Sequence, residues 1–146
     1  MLYDTRSSGR STRFTRSNPI TAIHSPDSSS GIHLLVADNL SLDLYDTRME
    51  KAPLLRFSHV HEGPQLQMAC RDGIVAAVDV DHDVQMYSLR TGGSLGKLKR
   101  ADGKASTSLL TKLKWTETDG VPELRACQGG GLVHWRFGGD EELLIG

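Results

Sequence analysis

Short stretches in which apolar and polar residues alternate, separated by turn-forming residues, fill most of the 146-residue chain. A period of two residues is typical of strands that bury one face. The pattern predicts strands at 13–16, 20–24, 32–37, 40–46, 54–57, 66–70, 74–80, 84–89, 95–98, 109–115, 123–127 and 132–137. Breaks such as Arg71-Asp72-Gly73 and Gly129-Gly130-Gly131 are rich in turn residues. We therefore expect an all-β chain of short antiparallel strands without helices.

The predicted strands recur together with a short motif. Leu2-Tyr3-Asp4-Thr5-Arg6 returns almost unchanged as Leu44-Tyr45-Asp46-Thr47-Arg48, and weaker copies surround Tyr87 and Trp135. The aromatic residues of the four copies follow one another at intervals of 42, 42 and 48 residues. An unrelated β-sandwich also has closely spaced strands, but it does not account for a repeated pentapeptide. Four predicted strands in each interval indicate one small antiparallel sheet per repeat.

Repeats of this length that end on an aromatic residue followed by Asp resemble WD40 β-propeller blades. The resemblance implies a partial propeller of about three and a half four-stranded antiparallel blades, the C-terminal part of a longer one. In this scheme residues 1–6 end a truncated blade. The segments 7–48, 49–90 and 91–138 are successive repeats, and 139–146 is a tail. Ser58-His59 is similar to the Gly-His pair of the family, which implies a structural hydrogen bond between His59 and Asp81.

The aromatic-Asp-x-Arg motif on consecutive repeats resembles the docking motif of WD40 substrate receptors of cullin-4 RING ubiquitin ligases. Residues 20–137 are similar to the C-terminal blades of receptors of the DDB1- and CUL4-associated factor 4 type. The resemblance implies that Arg6 and Arg48 bind the propeller adaptor of the ligase, oriented by Asp4 and Asp46. A substrate protein of unknown identity would be the second partner. In the third copy Ser88 replaces Asp, so the role does not extend to the arginine that follows it.

Composition narrows the function further. With 17 Lys+Arg against 18 Asp+Glu, the chain lacks the positive charge that nucleic-acid and membrane binders favour. No apolar run approaches a membrane span, and two cysteines indicate an intracellular protein of the nucleus or cytoplasm. We expect no cofactor, metal site or enzymatic activity, because neither cysteine has a zinc-site companion and no catalytic set is recognisable. A generic scaffold in a chromatin or RNA-processing assembly, and a truncated non-functional fragment, remain alternatives.

The N-terminal segment between Arg6 and Arg16 carries four arginines among several serines and threonines. Such a segment can meet phosphate or an acidic surface. The interpretation that we favour is an outer strand whose basic residues protect an exposed sheet edge.

Overall fold

The computed structural model describes residues 2–3, 11–12, 16–26, 31–49, 52–63, 65–100 and 109–138. These residues contain strands and turns and no helix, so they include no helix able to cross a membrane. The strands are β1 (Leu2–Tyr3), β2 (Ser11–Thr12), β3 (Ala22–His24), β4 (His33–Ala37), β5 (Leu42–Asp46), β6 (Leu55–Phe57), β7 (Met68–Arg71), β8 (Ile74–Val78), β9 (Val84–Ser88), β10 (Ser94–Leu98), β11 (Leu110–Thr118), β12 (Val121–Gln128) and β13 (Gly131–Arg136).

The strands pair with their neighbours in sequence, and every pair is antiparallel. β1 and β2 form a short pair. The first sheet contains β3 to β6, the second sheet β7 to β10 and the third sheet β11 to β13. β6 lies in the second predicted repeat, 49–90, yet it pairs with β5. The sheets are therefore offset from the sequence repeats, because the first strand of a repeat completes the preceding sheet.

Two hairpins are closed by Asp-Gly pairs. Asp72 and Gly73 join β7 to β8 with φ angles of 48° and 76°, and Asp119 and Gly120 join β11 to β12 with φ angles of 53° and 75°. Two successive left-handed residues make a type I′ turn, whose twist matches that of the flanking strands. Gly accepts this conformation without steric cost, and Asp tolerates it better than most residues.

Two apolar clusters hold the three sheets together face to face. The first joins the first and second sheets through buried residues that include Leu35, Leu42 and Phe57 on one side and Val75 on the other. The second joins the second and third sheets through Val84, Leu98, Leu124 and others. Each sheet is too small to bury its own faces, so stacking against the neighbouring sheet supplies the core.

In the second and third sheets, the repeated aromatic residue also links the sheet to the one before it. The Tyr87 hydroxyl donates a hydrogen bond to the carbonyl of Ser58, just after the outer strand of the first sheet, at 3.2 Å. Trp135 Nε1 donates to the carbonyl of Lys99, just after the outer strand of the second sheet, at 3.1 Å. This shared contact explains in physical terms why an aromatic residue with a polar tip recurs at these positions.

Candidate functional site

The second Asp-x-Arg motif closes on itself at the end of β5. Asp46, the last residue of the strand, is buried. Its Oδ1 accepts hydrogen bonds from the Arg48 backbone N–H and from Arg48 Nε, both at 2.9 Å. Its Oδ2 accepts a bond from Arg48 Nη2 at 2.7 Å. The carboxylate thus holds the guanidinium in a bidentate geometry while 68% of the Arg48 side chain stays exposed.

This ion pair persists at any physiological pH. The hydrogen bond from the Arg48 side chain, together with the backbone hydrogen bond from the same residue, lowers the pKa of Asp46 to about 2. The same contact raises the pKa of Arg48. The motif therefore presents a permanently charged planar donor group in a fixed orientation, which is the form in which arginine recognises carboxylates and carbonyl oxygens of a partner.

The copy of the motif in the second sheet keeps the loop-capping hydrogen bonds but not the oriented arginine. Ser88 Oγ accepts hydrogen bonds from the backbone N–H groups of Arg90 at 3.2 Å and Thr91 at 3.3 Å. The side chain at the end of the strand therefore caps the following loop in both sheets, but only Asp46 also orients an arginine. The first copy of the motif, with Asp4 and Arg6, lies outside the described residues.

The predicted hydrogen bond between His59 and Asp81 is wrong. His59 is buried, with Nδ1 3.0 Å from the Tyr87 hydroxyl and Nε2 3.0 Å from the Val78 carbonyl oxygen. Asp81 is exposed at the tip of the β8–β9 turn, where it pairs with Lys97 at 3.0 Å. The histidine does link the first sheet to the second, as a structural residue should. Its partners differ because the carboxylate points to solvent while a tyrosine hydroxyl and a backbone carbonyl lie against the ring.

One lysine pairs with all three aspartates around the β8–β9 turn. Lys97 Nζ lies 2.8 Å from Asp79, 3.0 Å from Asp81 and 3.7 Å from Asp83. Although burial opposes its charge, hydrogen bonds to Asp79 and Asp81 raise the pKa of Lys97. In the part of the chain that the structure describes, no three His, Cys, Asp or Glu side chains are grouped to hold a metal ion. Neither Cys70 nor Cys127 forms a disulfide.

A buried ion cluster in the first sheet is the main feature that sequence reasoning missed. Arg16, expected on an exposed edge, has only 6% of its side chain exposed and pairs with Asp38 at 2.8 Å and Asp43 at 2.7 Å. Asp43 is completely buried and also accepts hydrogen bonds from Arg56 at 3.0 Å and 3.1 Å. Ser41 Oγ is a further acceptor for Arg16. The sequence feature that could have revealed this cluster is Asp43 in the middle of a predicted strand, where aspartate is depleted.

Comparisons with known proteins support the fold. No protein-family model matches the sequence, and no curated protein does. Among solved structures, the computationally designed protein Ika8 is similar over 81% of this chain and 33% of its own, at 18% identity and a TM-score of 0.56. Hsv2 of Kluyveromyces lactis is similar over 85% of this chain and 35% of its own, at 18% identity and a TM-score of 0.53.

The third comparison names the architecture. The WD40 β-propeller domain of Doa1 is similar over 77% of this chain and 38% of its own, at 15% identity and a TM-score of 0.51. The chain spans between 33% and 38% of the length of each of these three proteins. At such low identity the likeness concerns the fold alone. It confirms the predicted fold class, an all-β partial propeller of WD40-like antiparallel blades.

Proposed function

We propose that this chain is a non-catalytic scaffold that binds other proteins, and that the end of the first sheet carrying Arg48 is a docking surface. The observation that carries the proposal is the exposed guanidinium held by the buried carboxylate of Asp46. An arginine oriented before binding loses little side-chain entropy when a partner arrives. Pre-oriented arginines are for this reason frequent hot spots of protein interfaces.

The specific partner that we propose is the propeller adaptor of a cullin-4 RING ubiquitin ligase, with the chain as its substrate receptor. The support is the resemblance of the two Asp-x-Arg motifs to those of such receptors. Arg48 and Arg6 would contact the adaptor, and a substrate protein would bind elsewhere on the propeller. Such a receptor raises the effective concentration of the substrate near the ubiquitin-charged enzyme. It would work in the nucleus or the cytoplasm.

A second candidate is a generic WD40 scaffold in which the Asp46–Arg48 pair is only structural. One observation favours it: in the described part of the chain, Ser88 caps the equivalent loop of the second sheet through backbone N–H groups alone and bonds no arginine side chain. In that sheet the capping residue serves the fold alone. The two candidates differ in what an arginine substitution should do, because a structural pair affects stability whereas a docking pair affects one partner selectively.

The test is a binding titration between the purified full-length chain and the purified adaptor. Arg48→Ala should weaken binding about thirtyfold, the effect of losing an interface hot spot. Arg56→Ala is the matched control, because 66% of the Arg56 side chain is exposed and it is likewise held by a buried aspartate. Arg56 lies in mid-strand rather than in a loop, so its variant should bind the adaptor as the parent chain does.

The double variant Arg6→Ala with Arg48→Ala should abolish adaptor binding while the unfolding transition remains cooperative. If the parent chain does not bind the adaptor, the ligase assignment fails. If Arg48→Ala and Arg56→Ala weaken binding equally, or Arg48→Ala only lowers stability, the pair is structural and the generic scaffold is the better description.

A further inference from the structure

A cleft of about 360 Å³ opens between the first and second sheets at the end where Arg48 lies. Its apolar walls come from β5, from β6 with the residue before it, and from the residue that follows β9. Its lining includes Leu44, Leu54, Leu55, Leu89, His33 and Arg90. Gly73 at the tip of the β7–β8 turn and Pro26 also line it. Leu44 belongs to the apolar cluster that joins these two sheets, and Leu55 and Leu89 pack against that cluster, so the cleft borders it.

The cleft and the Asp46–Arg48 pair belong to one surface. Arg48 lies in the β5–β6 loop, and Leu54 at the far end of that loop lines the cleft. The backbone N–H of Leu54 donates to the Leu44 carbonyl at 2.7 Å, which fixes this end of the loop against β5. Asp46 pairs in register with His33, another lining residue. A partner that contacts Arg48 therefore passes beside the cleft.

The chemistry of the cleft selects its occupant. A volume of about 360 Å³ is at the small end for pockets that bind drug-sized ligands. Its leucine walls favour an apolar group, because the removal of apolar surface from water is the main favourable contribution to the free energy of binding there. Among the described residues that line the cleft there is no Asp or Glu, whereas Arg90, which is exposed, is one of them. In the described part of the chain, the side chain of Arg90 has no hydrogen bond or ion pair of its own.

We infer that this cleft binds a segment of a partner protein in which a leucine-like side chain is followed or preceded by an acidic residue. The apolar side chain enters between Leu44, Leu55 and Leu89, and the neighbouring carboxylate pairs with Arg90. This gives Arg90 a role that differs from that of Arg48: it is not oriented by the fold, and it selects charge at the rim. The inference rests on the proposed function, in which this end of the sheets docks a protein.

The test uses the full chain, labelled with ¹⁵N, and the blocked peptide acetyl-Gly-Ser-Glu-Leu-Ser-Gly-amide as the probe. Saturable shifts are expected at the amides of Leu54, Gly73 and Leu89, with a dissociation constant below about 5 mM. Replacing leucine by alanine in the peptide should weaken binding about tenfold or more, because most of the buried apolar surface is lost. Replacing glutamate by lysine should weaken it several-fold.

A charge exchange makes the test specific. Arg90→Glu should reverse the preference, so that the lysine peptide binds better than the glutamate peptide. Lys114→Glu is the matched control, because Lys114 is exposed on β11 of the third sheet, away from the residues that line the cleft. The control should bind both peptides as the parent chain does.

The inference is overturned if no saturable shift is seen up to about 5 mM peptide, if the alanine peptide binds as well as the leucine peptide, or if Arg90→Glu leaves the preference unchanged. The adaptor titration is independent of these outcomes. If the chain binds the adaptor but not the peptide, only the proposal for the cleft is refuted. A chain that binds the peptide but not the adaptor refutes the ligase assignment alone.

Discussion

Removal of Asp43 tests whether the buried ion cluster is a structural requirement of the first sheet. The carboxylate is completely buried, and Arg16, which it contacts at 2.7 Å, is almost completely buried as well. In the Asp43→Ala variant, Arg16 keeps its contact with Asp38 but loses half of its compensating charge. Breaking a buried pair by removing one partner typically costs about 3–5 kcal/mol. We expect a loss of that size in the free energy of unfolding.

The assay is equilibrium unfolding in urea, followed by tryptophan fluorescence and circular dichroism. With a denaturant slope of about 2 kcal/mol per molar, the midpoint should fall by about 1.5–2.5 M. Arg56→Ala is the control, since its guanidinium also bonds Asp43 but is largely exposed, and it should change the midpoint little. The triple variant Arg16→Met, Asp38→Asn and Asp43→Leu should recover most of the loss, because it removes all three buried charges of the cluster. The amide oxygen at position 38 can still accept the backbone N–H groups of Leu40 and Ser41.

Two results would refute this reasoning. A loss below about 1 kcal/mol in Asp43→Ala would mean that water reaches Arg16 and compensates its charge. An equal loss in Arg56→Ala and Asp43→Ala would mean that the exposed pair, rather than the buried one, carries the stability. If Asp43→Ala shows no cooperative transition, Asp43→Asn should retain one, because the amide oxygen still accepts a hydrogen bond from Arg16.

Two further predictions concern pH and a turn. Burial lowers the pKa of His59 below its ordinary value of 6.5. As the pH falls below 6.5, the unfolded chain therefore binds more protons than the folded chain, and the free energy of unfolding decreases. His59→Gln should reduce this decrease when urea midpoints are compared at about pH 7.5 and 5.5; an unchanged pH dependence would exclude His59 as its source. Gly120→Ala should lower the free energy of unfolding by about 1 kcal/mol, because alanine is strained at a φ of +75°. No atom lies within 4 Å of the added Cβ, so a steric clash would not contribute. Gly130→Ala, also in open space but without a positive φ, should be nearly neutral; equal losses in the two variants would contradict a backbone origin.

Much of the fold could be predicted from the sequence because its signals are local. The predicted segments at 32–37, 84–89 and 132–137 lie within one residue of β4 (His33–Ala37), β9 (Val84–Ser88) and β13 (Gly131–Arg136) at each end. A two-residue period requires only that neighbouring side chains point to opposite faces of a strand. The Asp46–Arg48 contact is similarly local, since both residues belong to one turn.

The contacts between distant segments could not be predicted. Whether Arg16 meets solvent or Asp43 depends on where Arg16 lies relative to the first sheet, 27 residues away along the chain, and no periodicity records that placement. The partner of His59 was wrong for the same reason: Tyr87 is 28 residues away, and its hydroxyl reaches the ring only after the first and second sheets stack.

The sequence by itself therefore determined most of the strands, the turns and the repeat of small antiparallel sheets, because backbone pleat and turn stereochemistry act between neighbours in the chain. Only the tertiary structure decided which polar groups are buried and which residues line the cleft beside Arg48. Those properties arise where segments distant in the chain meet, and the desolvation that gives a charge its energetic weight exists only after these segments have packed.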